Sequence, residues 1–153
     1  MQENYLNYIK EIQKKKILCI GDIILDSYVT NELIKISEED PINVIKKKNQ
    51  NFKLGGVGNV ALNLKNFGID LDLITIGSND KKFKIIDKLL KANKIRHKIF
   101  YLKNSQTTFK ERQYIDNYHL LRTDEEKIVQ ITNKKINQII SYLQKKIKEN
   151  SYD

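Results

Sequence analysis

Two short, largely apolar runs set the strongest limit on how this chain can fold. They are "KILCIGD" at 16–22 and "LDLITIG" at 71–77. A run of this length with so few polar residues fits a strand buried on both faces, as in a parallel sheet. Between and after them lie segments of helical period. In "DKKFKIIDKLLKANKI", 80–95, Phe83, Ile86, Leu89 and Leu90 share one face. Buried strands that alternate with amphipathic helices predict a doubly wound α/β core.

The remaining segments fill out that plan. Tyr5, Tyr8, Ile9 and Ile12 share a helical face, so residues 3–14 are expected to form a lead-in helix within a leading segment 1–15. "DSYVTNELIKI" and "INVIKKKNQNF" alternate more loosely around the single proline, Pro41, and read as strands of a smaller, half-exposed sheet. "RHKIFYL" is a third core strand. "TTFKERQYI" and "YHLLRTDEE" predict a hairpin across Asp116-Asn117. "TNKKINQIISYLQKKIKEN", 132–150, predicts a final helix with Thr132 as its N-cap. That helix should feed another strand, and none follows before "NSYD". The layout reads as the first half of something larger, with one sheet edge left unpaired and open to self-association.

Composition narrows the function classes. The net charge is +9 over 153 residues. There are 25 Lys, 24 Ile and 16 Asn against three Arg, the usage of an A/T-rich genome. The cations are scattered and do not interleave with aromatics as a nucleic-acid stacking platform would, so no nucleic-acid partner is expected. Cys19, the one cysteine, sits inside an apolar run and reads as a small buried hydrophobe. No run approaches the ~20 apolar residues of a membrane span, and the N-terminus has no signal-peptide core, so a cytoplasmic location is expected.

Chemistry concentrates in two places. "KLGGVGNVALNLKNFG", 53–68, holds four of the six glycines and runs into a helix expected from near Gly58 to Gly68. A glycine pair permits positive φ and close approach of a ligand to the backbone, and a helix opening from it presents free N–H groups. Gly21-Asp22 and Asp26 are expected at the carboxyl end of the first strand, where open α/β sheets bind ligands. A carboxylate there can accept hydrogen bonds from two sugar hydroxyls or simply cap the strand end; the local pattern leaves both open.

"ILCIGDIILDSYV", "KISEEDPINVIK" and "LGGVGNVALNLKNFG", in this order, resemble the ribokinase-like (PfkB) carbohydrate kinases over residues 16–153. The Ser37-to-Pro41 stretch and "TTFKERQYIDNYHLLRTDEE" bring the likeness nearest to the heptose-7-phosphate kinases of that family. The resemblance implies a doubly wound sheet with a β-sheet lid from segments near 27–50 and 107–122. It implies that Asp26 binds sugar hydroxyls, that Gly55 and Gly56 lie against the sugar, and that Asn59 hydrogen-bonds the substrate. It makes Lys110, Arg112 and Arg122 candidates to neutralise a substrate phosphate. By the same resemblance, ATP with Mg2+ is the phosphoryl donor, heptose 7-phosphate is phosphorylated at O1 toward ADP-heptose and lipopolysaccharide core, and lid sheets pair two subunits into a homodimer.

One departure weighs against activity. The family's catalytic aspartate lies in a Gly-Ala-Gly-Asp helix start late in the chain, and no such motif occurs here. The expectation is therefore a truncated kinase domain with no catalytic residue and no metal ligands, inactive alone. A non-catalytic sugar-phosphate-binding or dimerisation module is the competing reading.

Overall fold

The computed structural model describes residues 2–127 and 129–153. A first helix, α1 (Gln2–Gln13), leads into β1 (Lys16–Ile20). Next come the long strands β2 (Ile23–Ile36) and β3 (Asn43–Gly56), then α2 (Val57–Asn66). They are followed by β4 (Asp70–Gly77), α3 (Lys81–Ala92) and β5 (Arg96–Tyr101). The hairpin β6 (Phe109–Ile115) and β7 (Tyr118–Glu125) precedes the last helix, α4 (Asn133–Glu149). The strands form two sheets, a parallel one of order β1-β4-β5 and a mixed one of order β3-β2-β6-β7.

The parallel sheet answers the apolar runs unequally. β4 is central, and Leu71, Leu73, Ile74 and Thr75 are all buried. β1 was expected to be buried as well, but it is an edge strand with one ladder partner, and Ile20 is 54% exposed. On its free side, the Asp153 amide donates to the Lys16 carbonyl at 3.0 Å, and the Lys16 amide donates to the Asp153 carboxylate at 2.9 Å. The core packs Leu71 and Leu73 against Phe83, Ile86 and Leu90 of α3 and Ala61 of α2. Helix α2 packs on the core through Val57, Leu62 and Leu64, which are half-buried, and through its small residues. Gly58 and Ala61 are buried while Val60 and Phe67 are exposed, because small residues let the helix approach Ile23 and Leu54 closely. On the opposite face of the sheet α4 lays Tyr142 edge-on to Phe100, ring centroids 5.5 Å apart. The Tyr152 hydroxyl there donates to Asp72 at 2.6 Å.

The mixed sheet is the lid. Along β2, residues 23, 25, 27, 29 and 31 are buried and their neighbours half-buried, the period of a strand with one covered face. The inner half of the lid is therefore anchored in the core, and its outer half is exposed from Glu32 onward. β2 pairs antiparallel with β3 and parallel with β6. The hairpin turns at Asp116, which takes φ 49°, a conformation that aspartate tolerates well.

Asp80 ties the two sheets together. It caps α3 by accepting from the Phe83 amide at 2.8 Å, and it also accepts from the Thr107 amide and the Ser78 and Thr107 hydroxyls, each at 2.8 Å. Burial alone would push its carboxyl up, but these donors outweigh it and hold Asp80 below the usual carboxylate range. A folded-state pKa below the unfolded one contributes stability above the unfolded value, near 3.9, and that stability is lost as pH falls through the folded value. Asp80→Asn should therefore lower unfolding stability by about 1–3 kcal/mol at neutral pH. Urea midpoints should show the gap to wild type closing as pH falls below about 4; a gap independent of pH would contradict this role.

Candidate functional site

Strand pairing determines which side chains share a face. Across β2, Asp26 stands opposite Lys53 of β3 and Lys110 of β6, and Tyr28 stands opposite Asn51 and Arg112. Across the hairpin, Lys110 faces Asp124 and Arg112 faces Arg122. Directly opposed residues lie on one side of a sheet. One lid face thus carries Asp26, Tyr28, Lys53, Lys110, Arg112, Arg122 and Asp124. Asp26 itself was expected at the end of the first strand; it lies inside β2, because Gly21-Asp22 breaks the chain and a new strand begins at Ile23.

The centre of this face is a partly buried ion pair. Arg112 Nη1 donates to Asp26 Oδ1 at 2.7 Å, and Asp26 raises the pKa of the guanidinium against the opposing effect of burial. Gly55 makes room for the carboxylate, since a Cβ at that position would collide with Asp26 Oδ2. Only one of the two glycines uses the positive φ that the pair permits. Gly55 pairs with Ile24 inside the strand ladder, and Gly56, the last ladder residue opposite Ile23, alone of the two takes positive φ, 56°, as the residue preceding α2. A side chain at Gly56 would also strike the Asp22 carbonyl, which accepts from the Val57 amide at 2.9 Å. No side chain caps the first turn of α2, where Asn59 sits exposed.

The structure therefore brings Asp26, Gly55, Gly56 and Arg112 together, with Asn59 one turn into the adjoining helix. Lys110 and Arg122 share the face but already have partners. Lys110 lies 3.0 Å from Asp124 and 2.9 Å from Glu126, and Arg122 lies 2.9 Å from Asp124. Glu126 and Asp124 raise the Lys110 pKa. Two further groups escaped the sequence reading. Lys53 stands 4.9 Å from the centroid of the Tyr28 ring, and Tyr28 stacks on Tyr114 with centroids 6.3 Å apart. Strand register was the missing information, since these residues are far apart in sequence.

A cleft of about 440 Å³ opens elsewhere, at the lid hinge, lined by Asp22, Ile24, Gly77, Ser78, Thr107 and Lys127 among others. None of the seven candidate residues lines it. Its buried hydroxyls, Ser78 and Thr107, are already engaged by Asp80. The lid face, not this cleft, gathers the chemistry. Among the described residues no group of three or more His, Cys, Asp or Glu is placed to hold a metal ion, and no helix is long and apolar enough to cross a membrane.

No protein-family model matches the chain. It is 36% identical over 137 residues to the bifunctional protein HldE of Campylobacter jejuni strain RM1221, covering 90% of this chain and 28% of that protein. To the bifunctional protein HldE of Aliarcobacter butzleri it is 34% identical over 140 residues, 91% of this chain and 29% of the relative. The chain thus spans less than a third of the curated relatives it matches. Among solved structures, phosphofructokinase-2 of Escherichia coli in complex with fructose-6-phosphate superposes with a TM-score of 0.63 at 15% identity, over 86% of this chain and 42% of that one. A carbohydrate kinase from Agrobacterium tumefaciens superposes with a TM-score of 0.56 at 18% identity, over 72% of this chain and 35% of that one.

Gly55→Ala should destabilise the chain by about 1–3 kcal/mol, since Asp26 must move and leave Arg112 unpaired. In an Asp26→Ala background the same substitution should cost less, because the colliding oxygen is gone. Denaturant unfolding of the two single variants and the double variant measures the difference. Strict additivity would show that Gly55 serves something other than the Asp26 carboxylate.

Proposed function

Starting from a chain related in sequence to the HldE proteins and sharing the fold of the ribokinase-like carbohydrate kinases, we propose that it forms the sugar-binding, lid-bearing part of a heptose-7-phosphate kinase. The observation that carries this reading is the convergence of Asp26, Gly55 and Arg112 on one lid face, with Gly56 next in the chain where β3 ends. Asp26 accepts hydrogen bonds from sugar hydroxyls, which suits an acceptor-only group. The backbone at Gly55 and Gly56 lies along the sugar, and Asn59 adds a hydrogen bond from the start of α2. Arg112, with Lys110 and Arg122 around it, faces the ester phosphate. In this reading residues 1–15 lead into a kinase-type domain over 16–153, with lid segments near 27–50 and 107–122. The product feeds ADP-heptose and lipopolysaccharide core synthesis in the cytoplasm.

Among the described residues, two helix starts that could take the phosphates of the reaction's donor, ATP with Mg2+, are already occupied. The start of α3 is filled by the Asp80 carboxylate and that of α4 by the Thr132 hydroxyl, which leaves neither free for a triphosphate. The open start of α2 faces the sugar side. No step of phosphoryl transfer is therefore derived for this chain, and binding without stabilisation of the transition state does not raise the chemical rate.

A second reading, a non-catalytic sugar-phosphate-binding or dimerisation module, is favoured by the outer lid. Leu33, Ile34, Ile36 and Ile42 are exposed there, and such a patch suits a second lid in a homodimer.

Two measurements test the proposal. With heptose 7-phosphate and Mg-ATP the purified chain should release no ADP above background. In titration calorimetry it should bind heptose 7-phosphate, and Asp26→Ala should weaken that binding about tenfold, the effect of losing one partner of a desolvated hydrogen bond. Turnover would refute the inactivity, and unchanged binding by Asp26→Ala would refute the site.

A further inference from the structure

The cations of the lid face are not equivalent, and their pairing points to where an anion goes. On the β7 side, Lys110 and Arg122 meet Asp124 and Glu126, two cations against two carboxylates. On the β3 side, Lys53 and Arg112 stand over one carboxylate, Asp26, and that carboxylate takes a single guanidinium nitrogen of Arg112. Among the described residues Lys53 makes no ion pair within 4.0 Å. The excess positive charge of the face therefore lies between Lys53 and Arg112.

Tyr28 holds these two cations in place. The Lys53 ammonium lies 4.9 Å from the centroid of its ring and the Arg112 guanidinium carbon 5.3 Å from it. Tyr28 is itself stacked on Tyr114, and Tyr114 on His119 at 4.9 Å. Cation–π contacts of this kind restrain long side chains that would otherwise sample solvent freely. Pre-positioned cations lose less rotamer freedom when they take up a ligand. Arg112 keeps a fork of N–H donors for two oxygens, and Lys53 supplies a point charge for a third.

We propose that Lys53, with Arg112, is the residue that selects a phosphorylated sugar over the free sugar, with the ester phosphate seated beside Tyr28 on the β3 side of the lid. This rests on the reading of the face as a sugar site and assigns Lys53 a role in specificity. The phosphate's charge is then compensated away from Asp124 and Glu126, which would repel it.

The test is calorimetric or NMR titration of the full chain with heptose 7-phosphate and with the same heptose unphosphorylated. Lys53→Gln should weaken binding of the phosphate ester about fivefold, the range of one solvent-accessible charge-assisted contact. It should change binding of the free heptose less than about twofold, because Lys53 adds only the charge term. Lys53→Arg should restore most of the loss, and Lys46→Gln, further out on the same strand, should change neither. Added salt should narrow the wild-type preference for the ester. An equal loss for both sugars, or no loss for the ester, would overturn the role of Lys53. A wild type that binds both sugars equally would overturn it too, while leaving the sugar site standing. A wild type that binds neither would overturn the sugar-site reading itself, and this inference with it.

Discussion

The parallel pairing of β2 with β6 is the contact on which the rest of the lid depends. It joins segments more than eighty residues apart, with Leu25 opposite Phe109 and Tyr28 opposite Arg112. Both Leu25 and Phe109 are buried in the core, so the register is held by packing as well as by the ladder. Side chains alternate with period two, and a slip of one residue would send Arg112 to the other face of the sheet. The correct register leaves Arg112 one step along the face from Asp26, within hydrogen-bond reach. The ion pair at the centre of the site is a consequence of that register.

The α/β part positions this face from below. Strand β2 leaves the core directly after β1, so the lid is an extension of the core and not a separately linked domain. Strand β3 returns to the core and ends at Gly56, whose positive φ turns the chain into α2 beside Asp26. Asp80 then binds the start of α3 to Thr107, just before β6 begins. The back of the lid has its own polar contacts. Buried Ser27 donates to Glu111 at 3.1 Å, Gln50 donates to both, and Asn31 donates to Gln113 at 2.8 Å. These hydrogen bonds cross from β3 through β2 to β6 and stiffen the sheet that carries the site.

Much of this was legible in the residues because local chemistry determines it. The apolar run at 71–77, the amphipathic period of 80–95, the Asp116-Asn117 turn and the Thr132 cap each appear where sequence places them. Where the reading failed, long-range contacts decide the outcome. The run at 16–22 is as apolar as the one at 71–77, yet the sheet order puts it at an edge. The helix after the glycines was legible, but not that Gly58 and Ala61 would be its buried residues, which follows from how closely it packs on Ile23 and Leu54. The roles of Asp26, Gly55, Gly56 and Arg112 were named from the resemblance and not from any local pattern. The demand that Asp26 makes on Gly55, the carboxylates beside Lys110 and Arg122, and the place of Lys53 beside Tyr28 all follow from strand register, which no local pattern encodes.

The central claim is that the even-numbered face of β2 binds sugar, and mapping backbone amide shifts on adding heptose 7-phosphate tests it most directly. The account predicts the largest shifts at Asp26, Tyr28, Gly55, Gly56 and Asn59, with Arg112 moving beside them. Shifts confined instead to the hinge cleft, at Ser78, Thr107 and Lys127, would contradict it.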